Sequence, residues 1–413
     1  MEKLIKWMNE KIAPGLTKIT DHPLIASIND GFNLALPSIL VGVFIMIANV
    51  LRDYIPAIPD LSPIQNFSFG FMGLFIVFGI AYKYVERISG DIAKVEAGFL
   101  AMGAYLMLSR AIVIADTGMF EIIFERLGAA GIFLSVVTGL LTGAVVVFFT
   151  KKNYFGRKGN LPPFITTWFN GMASAFVVLF VSWLCTYQFG LDVYSLIEKI
   201  FGPLVSAGQS FTGFVMINGV GIFLYAFGIS PWALASIMFP IMLTGIAENA
   251  ELVAQGLAPI NINTMEAGMA FVYLGGMGMT LMLNIFMLRS KSKKLRTLGK
   301  TTILPSIMNI NEPMVFGIPI AWNPTLMIPF IINGFLIPAI VYPALNAGLV
   351  TIPSQPFWLW FLPVGISTYL VTLDWRSLIL LAVTLAVSGL VYYPFFKMYE
   401  KQVLLKEEIK GKE

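Results

Sequence analysis

Apolar runs about twenty residues long, the length a helix needs to cross a bilayer core of roughly 30 Å, recur along this chain from end to end. Ten are predicted to span, at 31–51, 66–84, 95–115, 129–150, 171–190, 211–229, 232–250, 267–288, 320–346 and 377–397. Composition agrees, since 57% of residues are hydrophobic and only 12% charged, about half the charge that a water-soluble surface requires. The chain is therefore predicted to be an all-α integral membrane protein. Its 34 Phe, 14 Tyr and 8 Trp, with a net charge of only +4, exclude a disordered chain and a nucleic-acid binder. One cysteine, Cys185, rules out a disulfide framework and a Cys-cluster metal site, and one histidine, His22, rules out multi-His zinc chemistry. No metal and no cofactor is expected.

Lys and Arg set the orientation of such a chain. Basic stretches hold Lys83, Arg87 and Lys94, then Lys151, Lys152, Arg157 and Lys158, then Arg289 to Lys300, whereas Glu248, Glu251 and Glu266 share a connection without Lys or Arg. An even number of spans with both termini in the cytoplasm satisfies this pattern. Residues 1–28 mix Lys3, Lys6, Lys11 and Lys18 with scattered apolar residues. They are predicted to form an amphipathic lead-in on the membrane surface rather than a cleavable signal. Segment 192–208, interrupted by Asp192, Glu198 and Lys199, is a second interfacial helix.

Two apolar stretches are too short or too broken to cross. They are 301–319, with Pro305, Pro313, Gly317 and Pro319, and 356–373, with Pro356, Pro363 and Gly365. Broken backbone at membrane depth is tolerated only where it is buried in protein or lines a wet cavity, and there transporters hold substrate. Both are predicted to be re-entrant hairpins. The first contains Asn309, Asn311 and Glu312, followed by Pro313. A glutamate in or near hydrocarbon is costly unless paired or hydrated, which makes Glu312 a functional candidate. The alternative, a Glu at the cytoplasmic interface near the basic cluster, stays open on position alone. Amides and a carboxylate around a turn suit a polyhydroxylated ligand, because each hydroxyl both donates and accepts, and Glu is suited to act as general base.

Other polar features weigh less. Trp375, between Asp374 and Arg376, is either a belt residue at the membrane interface or a platform for a sugar face. Arg110 is read as snorkelling or pairing with Asp116. Gly275, Gly276 and Gly278, inside one predicted span, and Gly139 and Gly143, inside another, read as close helix packing. No strand precedes the first set, as a dinucleotide loop demands.

The run from Leu298 to Pro329, LGKTTILPSIMNINEPMVFGIPIAWNPTLMIP, resembles the signature of the membrane permease component (enzyme IIC, EIIC) of the phosphoenolpyruvate-dependent sugar phosphotransferase system. The lactose, cellobiose and N,N'-diacetylchitobiose branch is the most similar. DGFNLALP, LPPF, FVYLGGMGMT, LDWRS and YYPFFKMYEK lie around it in the same order, so the resemblance covers nearly the whole chain. It implies a single EIIC membrane domain over 1–413, with 1–190 mainly scaffold and dimerisation and 191–400 mainly substrate binding. A ten-span homodimer in the bacterial cytoplasmic membrane is implied, not an enzyme by itself. It would import a disaccharide such as cellobiose, diacetylchitobiose or a related β-glucoside. Phosphorylation would come from the phosphocysteine of EIIB, supplied by EIIA, both expected as separate chains.

By the same resemblance Glu312 holds the hydroxyl that receives the phosphoryl group, Asn311 stands beside it and Trp375 lies near the sugar. One position departs from the pattern. Where family members commonly read Gly-Ile-His, with the histidine accompanying the glutamate around the sugar, this chain has Gly228, Ile229 and Ser230. Ser230 can hydrogen-bond a hydroxyl but cannot take a proton near neutral pH. That keeps an alternative alive, a non-phosphorylating facilitator or a proton-coupled secondary transporter on the same fold.

Overall fold

The computed structural model describes Lys18 and residues 21–52, 55, 57–114, 116–153, 163–317, 320–359 and 361–410. Most of the predicted lead-in at 1–28 lies outside the described residues. Among those described, seven helices are long and apolar enough to cross a membrane, or eight if the pair Val193–Gln209 and Phe211–Ala226, bent by 77°, counts as one span. The chain divides into two compact units, one of Thr17–Leu204 and one built on Val205–Glu413.

The first unit contains α1 (Pro23–Arg52), α2 (Ser62–Ser68), α3 (Met72–Ser89), α4 (Lys94–Leu108), α5 (Ile132–Lys152), α6 (Pro163–Trp183) and most of α7 (Val193–Gln209). Glycines set how closely its helices approach. A Cβ on Gly79 would lie 2.5 Å from the Gly31 carbonyl oxygen, one on Gly139 2.9 Å from Ile80 Cβ, and one on Gly143 2.8 Å from the Tyr84 ring. Helices α1, α3 and α5 therefore meet at distances only a missing side chain allows, as the Gly139 and Gly143 spacing indicated. The predicted span 95–115 is not one long helix. Helix α4 stops at Leu108, Arg110 takes a φ of 63°, and β1 (Ile112–Val113) pairs antiparallel with β2 (Phe120–Glu121). β-branched Ile and Val favour the strand once the helix has ended. The Arg110 guanidinium donates to the Gly190 carbonyl at 2.9 Å, a different partner from Asp116.

The second unit contains α8 (Phe211–Ala226), α9 (Ala235–Ala254), α10 (Met265–Ala267, continued by a π turn over Gly268–Val272), α11 (Leu281–Leu288), α12 (Lys293–Ile307), α13 (Glu312–Gly317), α14 (Pro324–Asn346), α15 (Ile366–Thr372) and α16 (Arg376–Lys410). Helix α8 lies tightly along α14, where a Cβ on Gly219 would strike the Phe335 ring and one on Gly334 the Ile222 side chain. Tyr225, Met287, Met314, Phe330, Tyr392 and Phe396 belong to one buried cluster.

The predicted span 267–288 is broken. The π turn gives way at Tyr273 to an unwound stretch that becomes helical again at Leu281. Gly275, Gly276 and Gly278 have φ of 76°, 94° and 78°, a region open to glycine and strained for other residues. They make the turns of this stretch rather than a packing face.

Segment 351–359 is extended and anchored by side chains. The Thr351 N–H and hydroxyl each donate to Asp374 Oδ2 at 3.0 Å, Asn249 Nδ2 donates to the Pro353 carbonyl at 2.8 Å, and the Phe357 N–H donates to Glu266 Oε1 at 2.9 Å. Glu266, placed by the sequence in an acidic connection, is fully buried. The Arg376 guanidinium, 2.8 Å from Asp374, holds that carboxyl well below the usual carboxylate range. A depressed folded-state pKa stabilises fully above the unfolded value, and the contribution is lost as pH falls towards the folded one. Thermal unfolding of purified protein should therefore show a melting temperature that falls on acidification below about pH 4. In Asp374→Asn that component of the acid response should be missing.

Candidate functional site

The second unit encloses a cavity of about 340 Å³, at the lower end of the size of small-molecule sites. Three chain reversals build its polar wall. Helix α12 ends where Asn309 takes a φ of 59°. The Ile310 N–H then donates to the Pro305 carbonyl at 2.9 Å and the Asn309 N–H to Ser306 at 3.1 Å. This is the Schellman closure, with Asn in the left-handed position that glycine usually fills. The chain restarts at once, as the Asn311 carbonyl accepts the N–H groups of Met314 and Val315 at 2.9 and 2.8 Å. Glu312 becomes the first residue of α13, and Pro313 falls in the first turn, where its missing N–H costs nothing. Asn-Ile-Asn-Glu-Pro thus encodes a helix stop followed by a helix start.

Helix α8 closes the same way. Gly228 has a φ of 74°, the Ile229 N–H donates to Leu224 at 3.1 Å and the Gly228 N–H to Tyr225 at 2.9 Å. Gly-Ile-Ser is therefore the exit of a Schellman turn, and both Tyr225 and Ser230 line the cavity beside Glu312.

The third reversal is the unwound stretch after Tyr273, which contributes Gly276 and Met277 to the wall. Asn309 Oδ1 accepts the Gly275 N–H at 3.0 Å. Asn311 Nδ2 donates to the Met277 carbonyl at 2.6 Å and reaches Thr280 Oγ1 at 3.3 Å. Both asparagines thus brace the glycine turns against α12 and α13, and Asn311 keeps its Oδ1 as an acceptor. Asn284 Nδ2, donating to Thr302 Oγ1 at 2.8 Å and to Ser306 Oγ at 2.9 Å, ties α11 to α12 behind them.

Glu312 itself makes no hydrogen bond or ion pair with any described residue. An unpartnered carboxylate that shares a cavity lining with the Asn311 amide and the Tyr225 and Ser230 hydroxyls is equipped to accept hydrogen bonds from ligand hydroxyls. Met238, Phe239, Met265 and Met269 add apolar surface to the lining.

Of the residues singled out in the sequence, Asn309, Asn311, Glu312 and Ser230 line this cavity together. Trp375 is not among its lining residues; it is 66% exposed, next to the Asp374–Arg376 pair. Sequence reasoning passed over Tyr225, whose only signal is a phenol three residues before the Gly-Ile-Ser turn. It also passed over Gly276 and Met277, signalled by three closely spaced glycines in an otherwise apolar run.

Residues 29–334 match the family model described as phosphotransferase system, EIIC. The chain belongs to that family. It is a permease component of the sugar phosphotransferase system, and its relatives are of the same kind. It is 29% identical to the lichenan permease IIC component of Bacillus subtilis (strain 168) over 98% of this chain and 96% of that one. It is 27% identical to the cellobiose-specific EIIC component of Geobacillus stearothermophilus over 99% and 97%. Identity to the lactose-specific EIICB component of Staphylococcus haemolyticus is also 27%, over 98% of this chain and 72% of that one. Among solved structures, the EIIC fold is shared with ChbC, the IIC component from the N,N'-diacetylchitobiose-specific system, at a TM-score of 0.85. The identity is 26%, over 97% of this chain and 99% of that one.

The left-handed turn at Asn309 has a measurable cost. Asn309→Ala should destabilise the EIIC chain by about 1 kcal/mol more than Asn309→Gly, since both lose the contact to Gly275 but only alanine resists the positive φ. Chemical unfolding in detergent of the two variants side by side checks this. Equal losses would mean that the backbone conformation imposes no constraint there.

Proposed function

We propose that this permease component imports a β-linked glucoside whose terminal ring seats at Glu312, and presents one hydroxyl to the phosphocysteine of EIIB. The observation that carries the reading is the unpartnered Glu312 carboxylate at the first position of α13, facing a cavity. In the step proposed, the sugar hydroxyl oxygen bonds to phosphorus as the S–P bond of the donor breaks and its thiolate leaves. The hydroxyl proton passes to Glu312, the general base. Asn311 Oδ1 and the Ser230 hydroxyl supply further contacts, and Asn309 holds the turn. Trp375, exposed at the start of α16, fits the interfacial belt better than a sugar platform.

A disaccharide such as cellobiose or diacetylchitobiose is the substrate class that the family resemblance implies, and the substrates named for the relatives support it. On this reading the broken segments 301–319 and 356–373 re-enter the bilayer. The protomer crosses it ten times with both termini in the cytoplasm, works as a homodimer in the bacterial cytoplasmic membrane, and takes its phosphoryl group from EIIB charged by EIIA.

Reconstituted vesicles supplied with labelled cellobiose, phosphoenolpyruvate and the soluble phosphotransferase proteins test the proposal. Glu312→Gln should lower the rate of sugar-phosphate formation by about 100-fold or more while leaving a protein that still unfolds cooperatively. Uptake of unmodified sugar at the same rate with and without phosphoenolpyruvate would sink the reading and leave a facilitator in its place.

A further inference from the structure

We propose that the Tyr225 hydroxyl is the second hydrogen-bonding group on the reacting sugar hydroxyl, and that it supplies in this chain the contact that orients that hydroxyl beside Glu312. The inference rests on Glu312 acting as proposed above. Tyr225 is only 6% exposed, and as a lining residue its remaining surface opens on the cavity. Its hydroxyl makes no hydrogen bond with any described residue. Other tyrosines of the same unit differ. Tyr273 donates to Asn218 Oδ1 at 2.5 Å, Tyr392 to the Gly278 carbonyl at 2.6 Å and Tyr342 to the Gln209 carbonyl at 3.0 Å. A phenol buried to this extent ordinarily finds a partner. The cavity that Tyr225 lines is where a ligand can supply one.

The aim of that hydroxyl is fixed. The ring is contacted edge-on by Phe316, with centroids 6.0 Å apart at 74°, and at a tilt by Phe330 at 6.0 Å and 57°. Its backbone is locked by the Schellman closure three residues on. Phe316 stands four residues after Glu312 on α13, so the two side chains share a helix face one turn apart, and the face that clamps the ring also presents the carboxylate.

A sugar hydroxyl placed between them has one proton and two lone pairs to assign. The proton points to Glu312, one lone pair to the incoming phosphorus, and the other accepts from the Tyr225 O–H, which fixes the rotation of the nucleophile. The phenol proton does not move in the step. A neutral imidazole N–H at position 230 has the same kind of donor to offer, so an imidazole there should be able to take over the role of the phenol.

Tyr225→Phe removes one oxygen that has no protein partner and keeps the ring and its clamps. The expected result is an unchanged melting temperature and a rate of sugar-phosphate formation about 10- to 100-fold lower, with the KM for sugar changed far less. Ser230→His introduced into Tyr225→Phe should restore at least about tenfold of that loss. Two results overturn the proposal. One is a Tyr225→Phe protein with wild-type kcat and KM. The other is a loss of rate that tracks a fall in melting temperature and is not recovered by Ser230→His, which would mark a packing role. Absence of phosphorylated sugar with the wild-type protein would instead fault the reading of Glu312.

Discussion

Peptide groups in the apolar interior of a membrane protein must be hydrogen-bonded, and each one left alone costs about 1–3 kcal/mol. The unwound stretch from Tyr273 to Thr280 exposes the second unit to that demand, and much of the unit is arranged to meet it. The Tyr273 carbonyl accepts from the Gly276 N–H and the Gly276 carbonyl from Met279. The Gly275 carbonyl accepts from the Thr280 hydroxyl, Met277 from Asn311, Gly278 from Tyr392 and Met279 from Ser388. Three of these donors sit outside the stretch, at the Asn311 turn and on α16. The cavity wall therefore depends on the packing of elements distant in sequence, and Asn311, next to Glu312, is one of the residues that brace it.

The first unit solves a different problem with different chemistry. Its helices α1, α3 and α5 meet through Gly31, Gly79, Gly139 and Gly143, where close van der Waals contact does the binding in a medium as apolar as the side chains themselves. Polar bracing is local there. The partly buried Arg126 lies 3.1 Å from Asp192 and over the Tyr194 ring at 4.3 Å, tying the turn before α5 to the start of α7. The second unit uses the same close approach at Gly219 and Gly334 and adds hydrogen bonds that cross between segments.

Hydropathy found the apolar elements because burial in protein and burial in lipid select the same residues. For that reason it failed at 267–288, where an unbroken apolar run holds two short helical pieces and three glycine turns. Nothing local to that run reveals that Asn309 will accept one of its N–H groups or that Asn311, Tyr392 and Ser388 will satisfy its carbonyls. The run 95–115 misled similarly, since Ile112 and Val113 are as apolar in a hairpin as in a helix. The Asn-Glu-Pro site was legible because its residues are costly in an apolar setting and because they spell a cap. What they do was less so. The two amides look alike in sequence, yet Asn309 and Asn311 spend their Nδ2 groups on the protein. Tyr225 stayed hidden because an aromatic on an apolar helix ordinarily belongs to the core, and only its unpartnered hydroxyl sets it apart from Tyr273 and Tyr392.

The two Schellman closures have a consequence for direction. Both α8 and α12 end at the cavity, so it faces the carbonyl ends of two helices, each equivalent to roughly half a negative charge, together with the Glu312 carboxylate. A neutral sugar is indifferent to that field and profits from the acceptors. If the ligand is phosphorylated as proposed, it would carry added negative charge and meet repulsion from that wall. Group transfer would in this way convert a well-fitted guest into an evicted one, and the exit of product would need no further source of work than the charge it has just acquired.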